Sequence, residues 1–206
     1  MLFRSIALPI RDVSSLKREP IDALKHWYDY DKTVPLQPMV IRDSNASLEG
    51  DHAYRYKIVE INAVYDDERF QVHFFEPEKQ KDVPTLVYLP GIGRYNVQRD
   101  FRITGSRDMD MILVHRLALL GYRVIYPIYN GTYERWNGSS LSIDFREKPA
   151  EAQSNWIRGV QDLFRVVDYL CQAEDLNQDK LICVGLSNGA ARAITAMSID
   201  DRFKAG

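Results

Sequence analysis

An α/β domain is predicted by three observations: an alternating hairpin, three short apolar runs after it, and helical apolar spacing between those runs. The hairpin comes first. Lys57 to Val64 alternates, with Val59, Ile61 and Ala63 on one side. Asp66-Asp67-Glu68 reads as the polar tip, and Phe70, Val72 and Phe74 resume the alternation, giving an antiparallel pair with one drier face. The runs Thr85 to Leu89, Arg123 to Tyr126 and Leu181 to Val184 are short and mostly apolar, as strands buried on both faces are. Between the first two, Met109 to Leu120 reads as helix, with Gly121 at the C-terminal glycine position. Before the third, Trp156, Val160, Leu163, Val167 and Leu170 share one helical face, and Asp175 to Gln178 reads as a turn. Ala190 to Met197 is a last helix. Alternation of this kind implies a largely parallel sheet with helices on both faces, and it assigns residues 51–206 to one domain.

Residues 11–50 read as an N-terminal extension. Pro20 suits a first helical turn, and Ile21, Leu24, Trp27 and Tyr28 follow at helical spacing. Pro35 and Pro38 break that pattern, and Asp43 to Asp51 is polar and turn-like. Residues 1–10 read as a non-native leader. Met-Leu-Phe-Arg-Ser and Ala-Leu-Pro-Ile are both encoded by GCTCTTCCGATCT in two frames, and that string ends a common sequencing-library adapter. Met1 to Ile10 also lacks the apolar core and cleavage site of a signal peptide.

The net charge of -2 offers no electrostatic footing for nucleic acid or an anionic membrane. No apolar run is long enough to span a bilayer. Cys171 and Cys183 fit no metal or redox spacing and read as reduced core thiols, which points to the cytoplasm. On that reading the acceptor patterns at Asn45, Asn130 and Asn137 are chance.

Gly185-Leu186-Ser187-Asn188-Gly189 fits G-x-S-x-G, a sharp strand-to-helix turn that lifts a nucleophilic serine above the sheet. Gly185 and Gly189 are the structural glycines, because side chains there would crowd the turn. Ser187 is the expected nucleophile. The Asn188 N–H, at the N-terminus of the following helix, is aimed at a developing oxyanion. Pro90-Gly91-Ile92-Gly93 directly follows an apolar strand, where this kind of fold supplies its second oxyanion donor. Ile92 is the favoured donor and Gly93 the next. The competing reading of both segments is plain glycine turns that pack helix onto sheet.

The stretch Val124-Ile125-Tyr126-Pro127-Ile128-Tyr129-Asn130-Gly131-Thr132-Tyr133-Glu134-Arg135 resembles bacterial α/β-hydrolase domains of the dienelactone-hydrolase or prolyl-oligopeptidase-like type. Tyr28 to Thr33, Leu89 to Gly93, Val167 to Leu170 and Arg202 to Ala205 share the resemblance, which runs from about Arg11 to the end. Such domains follow serine/threonine kinase or formylglycine-generating-enzyme-like domains, so the resemblance implies upstream domains in the parent protein. It also implies an eight-stranded sheet ordered 1-2-4-3-5-6-7-8 with strand 2 antiparallel. This chain would supply strands 1 to 5 and be truncated after the nucleophile helix, with Leu181 to Val184 left as a bare edge. Chain order in this fold is serine, acid, histidine, so neither partner lies upstream of Ser187.

The remaining candidates are read against that order. His26, His52, His73 and His115 are surface or packing residues. Asp200 and Asp201 serve a helix end. Tyr126, Tyr129 and Tyr133, with Trp136, either line a substrate pocket or form a packed aromatic cluster. Arg135 is read as a solvated charge in preference to a contact for an anionic substrate. The expected function is serine-nucleophile hydrolysis of a small-molecule or peptide ester or amide, without metal or organic cofactor. The fragment alone is expected to be nearly inactive and poorly folded. The alternative is a non-catalytic binding or regulatory module.

Overall fold

The computed structural model describes residues 19–47, 53–77, 82–91, 109–136, 146–173 and 177–206. Met1 to Ile10, His52, Ile92 and Gly93 lie outside these residues. The elements run α1 (Glu19–Lys25), β1 (Met39–Ser47), β2 (Ala53–Asn62), β3 (Arg69–Glu76), β4 (Thr85–Leu89), α2 (Met109–Leu119), β5 (Arg123–Pro127), α3 (Pro149–Ala173), β6 (Leu181–Gly185) and α4 (Asn188–Ile199). One six-stranded sheet has the order β1-β2-β3-β5-β4-β6.

The hairpin forms where the alternation places it. Asp66 (φ 51°) and Asp67 (φ 50°) are both left-handed at the centre of a turn closed by Glu68 N–H on Tyr65 O (3.1 Å), and Ala63 N–H reaches Glu68 O at 2.8 Å, so residues 64–67 form a four-residue hairpin loop. Aspartate tolerates this region better than most side chains. α2 ends on Gly121 (φ 93°), with Gly121 N–H on Ala118 O (3.0 Å) and Tyr122 N–H on Leu117 O (3.1 Å). Those two bonds satisfy carbonyls that a helix end would leave orphaned.

Three expectations need correction. The sheet is mixed rather than largely parallel: β1–β2, β2–β3 and β3–β5 are antiparallel, and only β4–β5 and β4–β6 are parallel. Asp43 to Ser47 belongs to a strand, not a turn. β1 is an edge strand, where polar side chains are tolerated, and here they find partners: Asp43 accepts from Arg55 Nε at 2.7 Å, and Arg42 lies over the Tyr56 ring. The edge of β6 is not wholly bare either. Lys204 N–H donates to Leu181 O (2.8 Å) and Cys183 N–H to Ala205 O (2.9 Å), so the chain starts a parallel pairing there.

Period-two alternation sorts the sheet's side chains into two cores. Val59, Ile61, Val72, Phe74, Val87, Ile125 and Cys183 face α3 and α4. Tyr54, Tyr56, Phe75, Leu86, Tyr88, Val124 and Tyr126 face α2. The extension packs on the α3 side through Tyr28 and Tyr30. It is held by polar contacts: Tyr30 O–H to Asp168 (2.7 Å), Gln161 Nε2 to Asp29 O (2.9 Å) and Arg165 Nη2 to Val34 O (2.9 Å). Leu24 and Trp27 share the helical spacing but stay 55% and 53% exposed, because α1 ends at Lys25 and a 3-10 turn follows over His26–Tyr28. Of the thiols, Cys183 is buried, which pushes its pKa up to about 12, and Cys171 is half-buried; both are free. No helix of the described residues is long and apolar enough to cross a membrane.

Candidate functional site

β6 ends at Gly185 and α4 begins at Asn188, so Ser187 sits in the turn between them. Its backbone has φ 53° and ψ -113°, outside every region a side chain favours. The surroundings hold it there. Leu186 N–H donates to Leu89 O (3.0 Å), Gly189 N–H to Leu186 O (2.9 Å) and Ala190 N–H to Ser187 O (3.0 Å). A Cβ on Gly185 would collide with the backbone of Gly189 and Ala190, and one on Gly189 with Leu89 O. Both glycines are therefore required by backbone-to-backbone contact. The result leaves Ser187 exposed at the C-terminal end of the parallel strands.

The Asn188 N–H occupies the first position of α4, where an N–H has no intrahelical partner. Its side-chain Oδ1 is buried and has no hydrogen-bond partner among the described residues. Gly91 passes directly beside the turn: a Cβ there would stand 3.4 Å from Leu186 O. The candidate donors Ile92 and Gly93 lie outside the described residues. Tyr88, near the end of β4, donates to Asp110 at the start of α2 (2.7 Å), which ties the two elements flanking that loop.

The tyrosines do not form one wall. Tyr126 and Tyr133 are buried on the α2 side, with their hydroxyls 2.7 Å apart, and Tyr126 stacks on Tyr88. Tyr129 is buried on the opposite side, beneath the Arg192 guanidinium. The packed-cluster reading describes these positions. Arg135 is not a solvated charge. Its side chain is 9% exposed and reaches Asp162 (2.6 Å), Glu68 (2.7 Å), the Tyr65 hydroxyl (2.8 Å) and Ile128 O (3.1 Å). Asp162, fully buried on α3, also accepts from Tyr65 O–H and from Asn130 N–H at 2.8 Å each. Burial is the larger influence and raises the Asp162 carboxyl above its usual value, against Arg135, Tyr65 and the Asn130 N–H, which lower it. Arg135 donates to the Tyr65 oxygen, so the phenolic proton goes to Asp162, and the carboxylate pairs with the Arg135 guanidinium.

His26 is exposed and bonds Asp29 (3.0 Å). His73 is buried beside Tyr56, its Nδ1 2.6 Å from the hydroxyl. His115 packs on Tyr54 and Phe75. None of these three is bonded to Ser187. Asp200 closes α4 and binds Arg202 Nε at 2.9 Å, the helix-end role the sequence suggested; Asp201 lies in the turn just after it. No group of histidine, cysteine and acid side chains suited to a metal occurs among the described residues.

Sequence reasoning missed Asp162 and Arg192. Each left a faint signal: an aspartate next to an apolar stripe, and a single arginine in a helix of small and apolar residues.

No protein-family model matches the chain, and no curated protein matches it in sequence. Its fold does match solved structures. A Bacteroides fragilis protein assigned as an acetyl xylan esterase aligns with a TM-score of 0.64 at 16% identity, over 90% of this chain and 51% of that one. Acetyl xylan esterase 1 from Thermoanaerobacterium gives 0.61 at 14% identity, over 90% and 56%. A glucuronoyl esterase from Solibacter usitatus gives 0.58 at 18% identity, over 93% and 57%. The chain therefore has the α/β fold of these esterases, and it spans about half the length of the structures it matches.

Proposed function

We propose that this chain carries the nucleophile half of a serine-dependent ester hydrolase of α/β-hydrolase type. The observation that supports this most is Ser187, held at φ 53° in a glycine-flanked turn between β6 and α4. Strain of that kind persists where the surroundings over-determine it, and it presents the hydroxyl together with a helix N-terminus. Ser187 Oγ attacks the ester carbonyl, and the Asn188 N–H, with a donor from the Ile92-Gly93 segment, holds the oxyanion. Each such donor contributes roughly 3 kcal/mol of transition-state stabilisation. The acid and the general base lie after Gly206 in the parent protein, following the chain order of this fold. Carboxylic esters are the favoured substrates, because the fold is shared with acetyl xylan and glucuronoyl esterases.

A second reading is a non-catalytic binding module, which shares with the first the lack of a contact between Ser187 and the described histidines. Turnover of a short-chain aryl acetate and of acetylated xylan by the parent protein separates the two. Hydrolysis should fall at least about a thousandfold in Ser187→Ala, and residues 1–206 alone should show only a trace. Brisk hydrolysis that survives Ser187→Ala would remove the serine mechanism. A parent protein that hydrolyses nothing but keeps a ligand at this crevice would establish the binding module.

A further inference from the structure

Arg192 lies five residues beyond Ser187 on the same helix, and its side chain is 1% exposed. The guanidinium is sandwiched between two rings, 4.4 Å from the Trp156 centroid and 5.2 Å from the Tyr129 centroid. Its Nη1 donates to Trp156 O at 3.0 Å. The slot exists because α3 has Gly159 at that point: a Cβ there would land on Arg192 Nη1 and stand 3.4 Å from the Tyr129 ring. Glycine in the interior of a 25-residue helix runs against helix propensity, so the close approach is what it is there for. Three residues on lies Asp162, which fixes the Asn130 N–H of the loop that carries Tyr129. One face of α3 thus holds both the loop after β5 and the helix after Ser187.

We propose that Arg192 is a positioning residue: seated in the Gly159 slot, it fixes the axis and rotation of α4 and so the direction in which the α4 N-terminus faces position 187. A planar, two-faced cation suits this task because it engages two rings and a carbonyl at once, which a lysine ammonium does not. Asn188 lies one turn before Arg192 on the same face of α4, so rotation of the helix about its axis moves both together. The inference rests on the reading of Ser187 as a nucleophile, but its test does not need hydrolysis.

The test uses Ser187→Cys in the parent protein. A thiol at a helix N-terminus titrates below the usual value of about 8.5. Alkylation by iodoacetamide against pH, read at position 187 by peptide mass spectrometry, reports that pKa. Cys183 is distinguished by its pKa, pushed up to about 12, and Cys171 by its separate peptide. Adding Gly159→Ala displaces the guanidinium while giving α3 a better helix former; Arg192→Lys removes the planar group. Both should raise the pKa at 187 and slow alkylation at pH 7 by about threefold to tenfold. Asp162→Asn, which loosens the other end of the same α3 face, should lower the melting temperature and leave the thiol unchanged. Thiol pH profiles for Gly159→Ala and Arg192→Lys that coincide with that of Ser187→Cys alone would overturn the proposal. A thiol profile moved as far by Asp162→Asn as by Gly159→Ala and Arg192→Lys would mean general loosening, and would overturn it as well. If the thiol responds as expected while the parent protein never hydrolyses an ester, the positioning role stands and the hydrolase reading falls.

Discussion

The two sides of the sheet bury polar groups in opposite ways. On the α3 side charge is retained: Asp162 and Arg135 are ionised, bonded to each other and to Tyr65, Glu68 and the Asn130 N–H. On the α2 side the buried histidines are neutral: burial holds His73 at a pKa of about 3 and pushes His115 below its usual range, while the buried Asp110 is met by the Tyr88 hydroxyl. The difference lies in what the backbone can fix. The tip of the β2–β3 hairpin and the turn after β5 place several donors around one carboxylate. The α2 side offers His73 and His115 rings and a phenol, and a neutral ring costs less there than an uncompensated cation.

The strongest way to break this contrast is Asp162→Ala. It leaves the buried Arg135 with Glu68, the Tyr65 hydroxyl and Ile128 O but without its buried counter-ion, and should cost about 3–5 kcal/mol, read by urea unfolding. Removing both charges with Asp162→Ala and Arg135→Met should recover part of that loss. A double variant no better than the single one would mean that the cluster acts by shape and not by charge.

Next in size is the pH dependence set by His73. Its folded pKa is depressed from 6.5 to about 3. The associated stability is therefore present above pH 6.5 and is lost as pH falls towards 3. The full loss is on the order of 3–5 kcal/mol. His73→Gln should flatten this part of the stability profile between pH 6.5 and 3, and an unchanged slope would assign it to other groups.

The smallest effect is expected at His115. Both of its ring nitrogens are buried without a hydrogen-bond partner among the described residues. His115→Leu should leave stability unchanged or raise it by up to about 1 kcal/mol, because an unsatisfied polar group is removed and apolar contact with Tyr54 and Phe75 is kept. A loss above about 1 kcal/mol would show that the α2 side uses this ring.

The same contrast explains what the sequence made legible. Elements with a strong period or a turn signal were readable: the hairpin with its Asp66-Asp67 tip, the three buried runs, the α3 stripe, Gly121, and the glycines around Ser187. β1 was not, because an edge strand with one neighbour needs no apolar period, and its polar residues read as a turn. Arg135 was misjudged because its burial depends on Asp162, 27 residues away on another element. Tyr126, Tyr129 and Tyr133 read as one group after a strand, and the fold divides them, Tyr126 and Tyr133 on the α2 side and Tyr129 on the α3 side. Pairings of this kind are tertiary facts, and no local pattern carries them.

The Asp66-Asp67 turn also bears on the order of folding. The turn closes a short local loop between β2 and β3, and hairpins form in about 1–10 μs. The next pairing, β3 with β5, joins Phe75 to Val124 and must wait for a much longer loop to close. Tyr65 and Glu68, carried on the tip, are then already placed to receive Arg135 when β5 arrives. Early φ-values near 1 at Val59 and Val72, with values near 0 at Ile125, would mark the hairpin as the template on which the site-bearing strands assemble.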